Sequence, residues 1–385
     1  MGIFSHSNLT SISFDPNVKW MNNSMRLAFY NSQSLNSQIN ISNGVTDISR
    51  VFEKCINLNR SVTLPNSVTN MYQAFAGCTN FNQPITIPNN VTDMFKTFYN
   101  CPKFNRPITI PNSADNVYGC FDACNQFNAT ITLTDGIRTL RGLVYNMYKF
   151  NRPITIPDSV TDMSYCFYNA FSFNQPITIP NSVTNMSYCF YNARGFKQPI
   201  TIPNSVTNMS YCFYMTYNFN QPITIPDSVT DMSYCFYNIP FFDQSVNIPD
   251  SVSNLYYAFY NIQNFNSPVN IGNGVTNLYY TFFNCQRLRQ PITIGTNVTH
   301  IYYAFANCRN YNSTITILSP NVTYAFNMLS NHYNNRRVNI IVPANSTTNT
   351  TIYSNNIISG LRAWTNDPTN NRYYNTTYNI YVYYE

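Results

Sequence analysis

One phrase of 23 residues, typified by VTNMSYCFYNARGFKQPITIPNS from Val183 to Ser205, recurs along most of this chain and leaves few folds open to it. Its first strand-type isoleucine or valine falls at Ile39, Val62, Ile85, Ile108, Ile131, Ile154, Ile177, Ile200, Ile223, Val246, Val269, Ile292, Ile315 and Val338, each step being 23 residues. A period this strict implies a solenoid, in which each unit buries its apolar face only against its neighbours. The expectation is an α/β repeat solenoid of about 14 rungs, flanked by residues 1–17 and 343–385 as caps around a body at 18–342.

Within one unit the apolar spacing changes. Met94, Thr97, Phe98 and Cys101 follow helical spacing, whereas Ile108 and Ile110 alternate. The spacing predicts a helix of two turns and a short parallel strand per rung. Before the Met94 position stand Asp47, Asn70, Asp93, Asn116 and their equivalents, residue types that cap helix N-termini, with His300 the exception. Past the Phe98 position stand Asn31, Gly77, Asn100, Asn146 and Asn169, which tolerate the left-handed conformation that ends a helix. Prolines such as Pro107 and Pro111 bracket the strand and confine ladder pairing to the residues between them.

The pattern resembles the BspA-like, treponemal-type leucine-rich repeat over roughly residues 18 to 342. The matching residues are Ile85, Ile87 and Pro88, then Val91 and Met94, then Phe98 and Cys101, then Phe104. The phrase FNQPITIPNSVTNM is also similar to asparagine-rich surface-protein repeats and to FNIP repeats. The resemblance implies a leucine-rich-repeat-like fold and a surface binding role.

Only 9% of residues are charged, against 32 tyrosines and 28 phenylalanines. Solubility therefore rests on amides and hydroxyls, and such a surface suits protein or carbohydrate better than electrostatic capture. The net charge of +6 does not form a stripe: Arg60, Arg106, Arg152 and Arg336 share a column otherwise held mostly by Gln or Ser. Nucleic acid is therefore not the expected partner. The eleven cysteines interchange mainly with alanine, threonine and aliphatic residues, which marks buried, reduced packing residues. No C-x-x-C and no adjacent histidine calls for zinc, and no cofactor is expected. His6, His300 and His332 are scattered, and acids such as Asp158 and Asp162 sit in turns or caps, so no acid/base pair stands out and no enzyme is expected.

Two surfaces are candidates for function. Thr86, Thr109, Thr132, Thr155, Thr178, Thr201 and Thr224 point outward at mid-strand, beside a column that includes Arg106 and Arg152. This is either a ligand face or a structural threonine ladder. Tyr165, Tyr188, Tyr211 and Tyr234 form a row on the other side, suited to interfaces or sugars, or else to packing on one another. The opening MGIFSHSNLT shows no secretory signal, and no segment is apolar enough to insert in a membrane.

Phe4, Ile12 and Phe14 are expected to cover the first rung. Residues 343–385 are expected to cap the last one, through apolar Ile357, Ile358, Leu361 and Trp364 and a strand presenting Tyr378, Ile380 and Val382 on one face. The alternative for that tail is self-assembly or anchoring to particle proteins. The function expected is non-enzymatic adhesion at a cell or virion surface, engaging host protein or glycan. The rival is a structural subunit of a larger assembly.

Overall fold

The computed structural model describes residues 2–14, 18–333, 335–344, 346–354, 357, 364–370, 372–375 and 379–384. They fall in two compact units, Met1–Gln198 and Pro199–Glu385. Ile358, Leu361 and Tyr378 lie outside the described residues.

Each rung holds a turn segment and an extended segment. In the first unit Ser24, Asp47, Asn70, Asp93 and Asn116 are joined by parallel bridges, as are Thr139, Asp162 and Asn185. In the second, Asn208, Asp231 and Asn254 continue through Asn277 and His300 to Tyr324.

The helix expected in each rung does not form. Among the described residues the one α-helix is α1 (Thr347–Ser354). Met94, Phe98 and Cys101 are fully buried, as helical spacing demands, but the backbone reaches that burial through tight turns, with positive φ at Lys96 and Asn100. The N–H groups of Thr97, Tyr99 and Cys101 donate back three residues, to the carbonyls of Met94, Lys96 and Phe98 at 3.1, 3.0 and 3.2 Å. Those of Met94, Lys96, Phe98 and Asn100 instead reach the next rung, at Asn116, Tyr118, Cys120 and Asp122, over 2.7, 3.1, 2.8 and 2.8 Å. A helix would keep all these bonds to itself; alternation turns half of them into cohesion between rungs. The polar side chains at the expected N-caps still cap, as Asx turns: Oδ1 of Asp47, Asn70 and Asp93 accepts from the N–H two residues on, each at 2.9 Å.

Strands are fewer than the repeat count. In the first unit β1 (Ile39–Asn40) pairs with β2 (Val62–Thr63), and β3 (Ile108–Ile110) with β4 (Ile131–Leu133), all parallel and in register. The copies at 85–87, 154–156 and 177–179 in this unit, and at 200–202 and 223–225 in the other, are extended but carry no assigned strand. Each of these copies is followed by a proline, Pro88, Pro157, Pro180, Pro203 or Pro226, that has no N–H to give, whereas Thr134 donates its N–H to Ile110 O at 3.2 Å across the β3–β4 pair.

In the second unit β5 (Val246–Ile248) pairs with β6 (Val269–Ile271). Further on, β7 (Ile292–Ile294), β8 (Thr314–Ile317) and β9 (Val338–Val342) stack in parallel. The same sheet continues through β12 (Ile380–Tyr384), parallel to β9, then antiparallel β11 (Arg372–Asn375) and β10 (Thr365–Asp367). Ile380 and Val382 are fully buried, as is Ile357, whose carbonyl accepts from Leu329 N–H at 2.8 Å. At the other terminus Phe4 stacks on Phe29 at 5.4 Å and Phe14 lies 5.9 Å from Phe29. Ile12 is half-buried, and its N–H donates to Ser37 Oγ at 3.2 Å.

Phenylalanine columns fill the core, Phe98 on Phe121 at 5.7 Å in the first unit and Phe236 on Phe259 at 5.4 Å in the second. All eleven cysteines are free and buried, and several thiols donate to a carbonyl of the preceding rung, as Cys101 Sγ does to Phe75 O at 3.0 Å. The last turn segment slips by one residue: His300 bridges Tyr324, and Asn327 and Asn331 take the positive-φ places. His332 thereby occupies the column that Cys308 holds one rung earlier.

Candidate functional site

The seven threonines are all exposed, between buried isoleucines or, at Thr132, beside half-buried Leu133. Within each unit they line an exposed polar face. The arginines beside them are tied down: Arg106 Nε donates to Asn82 O and Arg152 Nε to Asn128 O, both at 2.9 Å. Sequence reasoning missed the column that anchors this edge. The N–H of Asn105, Asn128, Asn151 and Asn174 each donates to Oδ1 of the asparagine one rung earlier, at 2.9 to 3.1 Å. The signal for it was the Asn that follows the Phe104-type residue in most copies, replaced by Lys197, Asp243 and Arg289.

The tyrosines are brought together closely. In the first unit Tyr165 stacks on Tyr188 at 4.5 Å and Tyr168 on Tyr191 at 4.4 Å. In the second, Tyr211 stacks on Tyr234 at 4.4 Å, followed by Tyr257 at 4.9 Å. These rings are half-buried. Burial, reinforced by neighbouring Tyr191, pushes the Tyr168 hydroxyl up to about 12, and burial with Tyr279 does the same for Tyr280. Tyr165, Tyr188, Tyr211 and Tyr234 have φ of 55° to 57°, a region that bulky side chains rarely enter. Asn or Gly would sit there at lower backbone cost, so the rings are retained despite the backbone.

The first unit also contains a fault in the ladder. Asp93 bridges Asn116 and Thr139 bridges Asp162, but Asn116 does not bridge Thr139. Along that turn the cross-rung bond found among the described residues is Gly119 N–H to Gly142 O, at 3.0 Å. Tyr118 lies over Gly142 so closely that a Cβ there would be 2.6 Å from the ring. Arg141 lies 5.6 Å from the Tyr118 ring and 5.8 Å from that of Tyr165. A cleft of about 650 Å³ opens here, lined by Phe95, Asp115, Asn116, Tyr118, Arg141 and Asp162 among others. It joins aromatic faces to both signs of charge, and the ring of Tyr165, the first of the predicted row, lies 6.3 Å from that of Tyr118.

No group of three or more His, Cys, Asp or Glu is arranged for a metal ion among the described residues. No helix among them is long and apolar enough to cross a membrane.

Stacked parallel rungs with an exposed polar face and buried aliphatic and aromatic columns define a solenoid of the leucine-rich-repeat class. A leucine-rich repeat protein from Bacteroides ovatus shares this fold, with a TM-score of 0.62 and 20% identity, covering 83% of this chain and 82% of that one. A leucine rich cell surface protein from Faecalibacterium prausnitzii aligns at TM-score 0.42 and 20% identity over 86% and 89% of the two chains. The pneumococcal vaccine antigen PcpA aligns at 0.39 and 15% over 93% and 73%. The chain belongs to the family described as "Mycoplasma protein of unknown function, DUF285", whose model matches residues 23–134, 115–225, 179–269, 202–293, 225–318 and 249–345. No curated protein matches it.

Proposed function

We propose that this chain is a non-enzymatic binding protein, presented on a cell or virion surface, that engages host protein or glycan through its repeat faces. The observation that carries the reading is the set of half-buried tyrosines kept at left-handed backbone positions. Aromatic faces with polar tips serve sugar and protein contacts alike. The cleft at Tyr118 and Arg141 adds an anchoring point beside one such row, and the threonine face offers hydrogen bonds without a pocket.

A glycan array and a panel of purified host-surface proteins, probed with the full chain, test this. The expected result is saturable binding that weakens at least tenfold when Tyr234, Tyr257 and Tyr280 are replaced together by asparagine, with the circular dichroism spectrum retained. Absence of binding by a folded chain, or binding indifferent to those replacements, overturns the reading.

The rival is a structural subunit of a larger assembly. It draws on β10, which among the described residues ends its sheet and pairs with β11 alone, and unpaired edges recruit further strands. Asn366→Pro would then reduce the solution mass, whereas a monomeric wild-type chain removes this reading.

A further inference from the structure

We propose that the cavity beside His332 binds a tetrahedral oxyanion, a sulfate or phosphate group, held by Arg336 Nε and His332 Nδ1. The cavity measures about 540 Å³ and is lined by Asn310, His332, Tyr333, Asn335 and Arg336.

His332 stands in the cysteine column, 7% exposed. Its Nε2 lies 2.8 Å from Tyr311 O. A carbonyl only accepts, so Nε2 carries the proton and the neutral ring presents Nδ1 as a bare acceptor. Nδ1 is buried without a partner, and so is Arg336 Nε. Buried polar atoms are almost always satisfied, and two orphans on residues that line one cavity point to an occupant.

The charge around them selects its sign. Arg336 acts directly on His332, and Arg309 belongs to the preceding rung, its carbonyl accepting from Tyr333 N–H at 3.3 Å. Arg337 follows in sequence, while Tyr311 and Tyr333 are the other titratable groups nearby. No carboxylate is among the lining residues. An anion supplies the absent countercharge, and a guanidinium suits the oxygens of sulfate and phosphate.

Proton balance makes the site pH-dependent. Burial and Arg336 keep His332 uncharged at neutral pH. With sulfate bound, Nδ1 must take one proton from solvent to donate to the anion; dihydrogen phosphate can bring that proton itself. Sulfate affinity should therefore rise about tenfold for each unit by which pH falls, while His332 is neutral in the free protein.

The test is titration of the full chain with inorganic sulfate, inorganic phosphate and a sulfated disaccharide between about pH 5 and about pH 8, followed by calorimetry and histidine NMR. Saturable binding, tightening on acidification and raising the pKa of one histidine, is expected. Arg336→Gln and His332→Cys should each weaken it at least tenfold, the second restoring the residue native to that column and so sparing the fold. Tighter binding of the disaccharide than of free sulfate would identify a group carried on a glycan; equal binding would identify the free anion. Absence of saturable binding, binding unchanged in both variants, or sulfate binding indifferent to pH would overturn the proposal.

Discussion

Tyr257 lies face to face with Tyr280, ring centroids 4.8 Å apart and planes 12° apart, although both residues have positive φ, 56° and 53°. Stacking is worth ~0.5–1.5 kcal/mol per pair, while the left-handed backbone costs a non-glycine residue ~1–2 kcal/mol. Tyr257→Ala removes the ring and keeps the strain; Tyr257→Gly removes both. The glycine variant should therefore be the more stable of the two by ~1 kcal/mol, read as the urea midpoint. An alanine variant equal to or above it would remove strain from the account.

The asparagine ladder makes a sharper case. Asn128 Oδ1 accepts from Asn151 N–H at 2.9 Å, and in the second unit Asp243 Oδ1 does the same for Asn266 N–H at 2.8 Å. Asn128→Ala leaves that donor without its acceptor and should cost ~1–3 kcal/mol. Asn128→Asp keeps the acceptor and should cost well under half as much. Equal losses in thermal midpoint would show the ladder to be incidental.

Alkali should dissolve the stack cooperatively. Burial raises the thiols of Cys55 and Cys101 from 9.0 to about 12 and the hydroxyls of Tyr168 and Tyr280 from 10.0 to about 12. Each group then binds its proton more tightly folded than unfolded, so its contribution is complete below the unfolded pKa and disappears as pH rises toward 12. The melting temperature should hold up to about pH 9 and fall steadily above it. A flat profile to pH ~12 would contradict the burial of these groups.

Mild acid should act at His332. His332 is held below its usual 6.5 by burial and by Arg336, so protons prefer the unfolded chain. Its contribution is complete above pH 6.5 and is lost as pH falls through the lowered value. Protection factors around Leu329 and Val338, which divide out the intrinsic pH dependence of amide exchange, should fall on acidification, and His332→Cys should remove that response.

Much of this was legible in the residues. The 23-residue period, the buried Phe98 and Cys101 columns and the outward threonines follow from spacing and side-chain chemistry alone. The turn segment was not, because Met94, Phe98 and Cys101 meet the core at helical intervals whether the backbone bonds within itself or to its neighbour. Asn100 at a left-handed position did carry the clue, but Lys96 and Tyr165 at the same kind of position did not. The place of His332 was hidden by a single extra residue that displaces the final turn, and the strand after it shifts by two, setting Ile340 rather than Val338 opposite Ile315. The cleft at Tyr118 had only the paired Gly119 and Gly142 to announce it.

Within each unit the bonds from the Met94, Lys96, Phe98 and Asn100 positions run one way, the earlier rung giving N–H groups and the later one receiving them, whereas flanking bonds such as Thr92 N–H to Thr69 O and Asn80 N–H to Ile56 O run back. A stack parted at any level would thus show unlike surfaces, a row of bare donors on one fragment and bare acceptors on the other. Two opened molecules could join only head to tail, and such joining has no geometric end. Phe4 N–H and His6 N–H, bonded to the carbonyls of Ala28 and Tyr30, and Ile357 O, bonded to Leu329 N–H, stop up the two kinds of surface at their respective ends. Losing either stopper would leave that surface open to the complementary surface of a second copy.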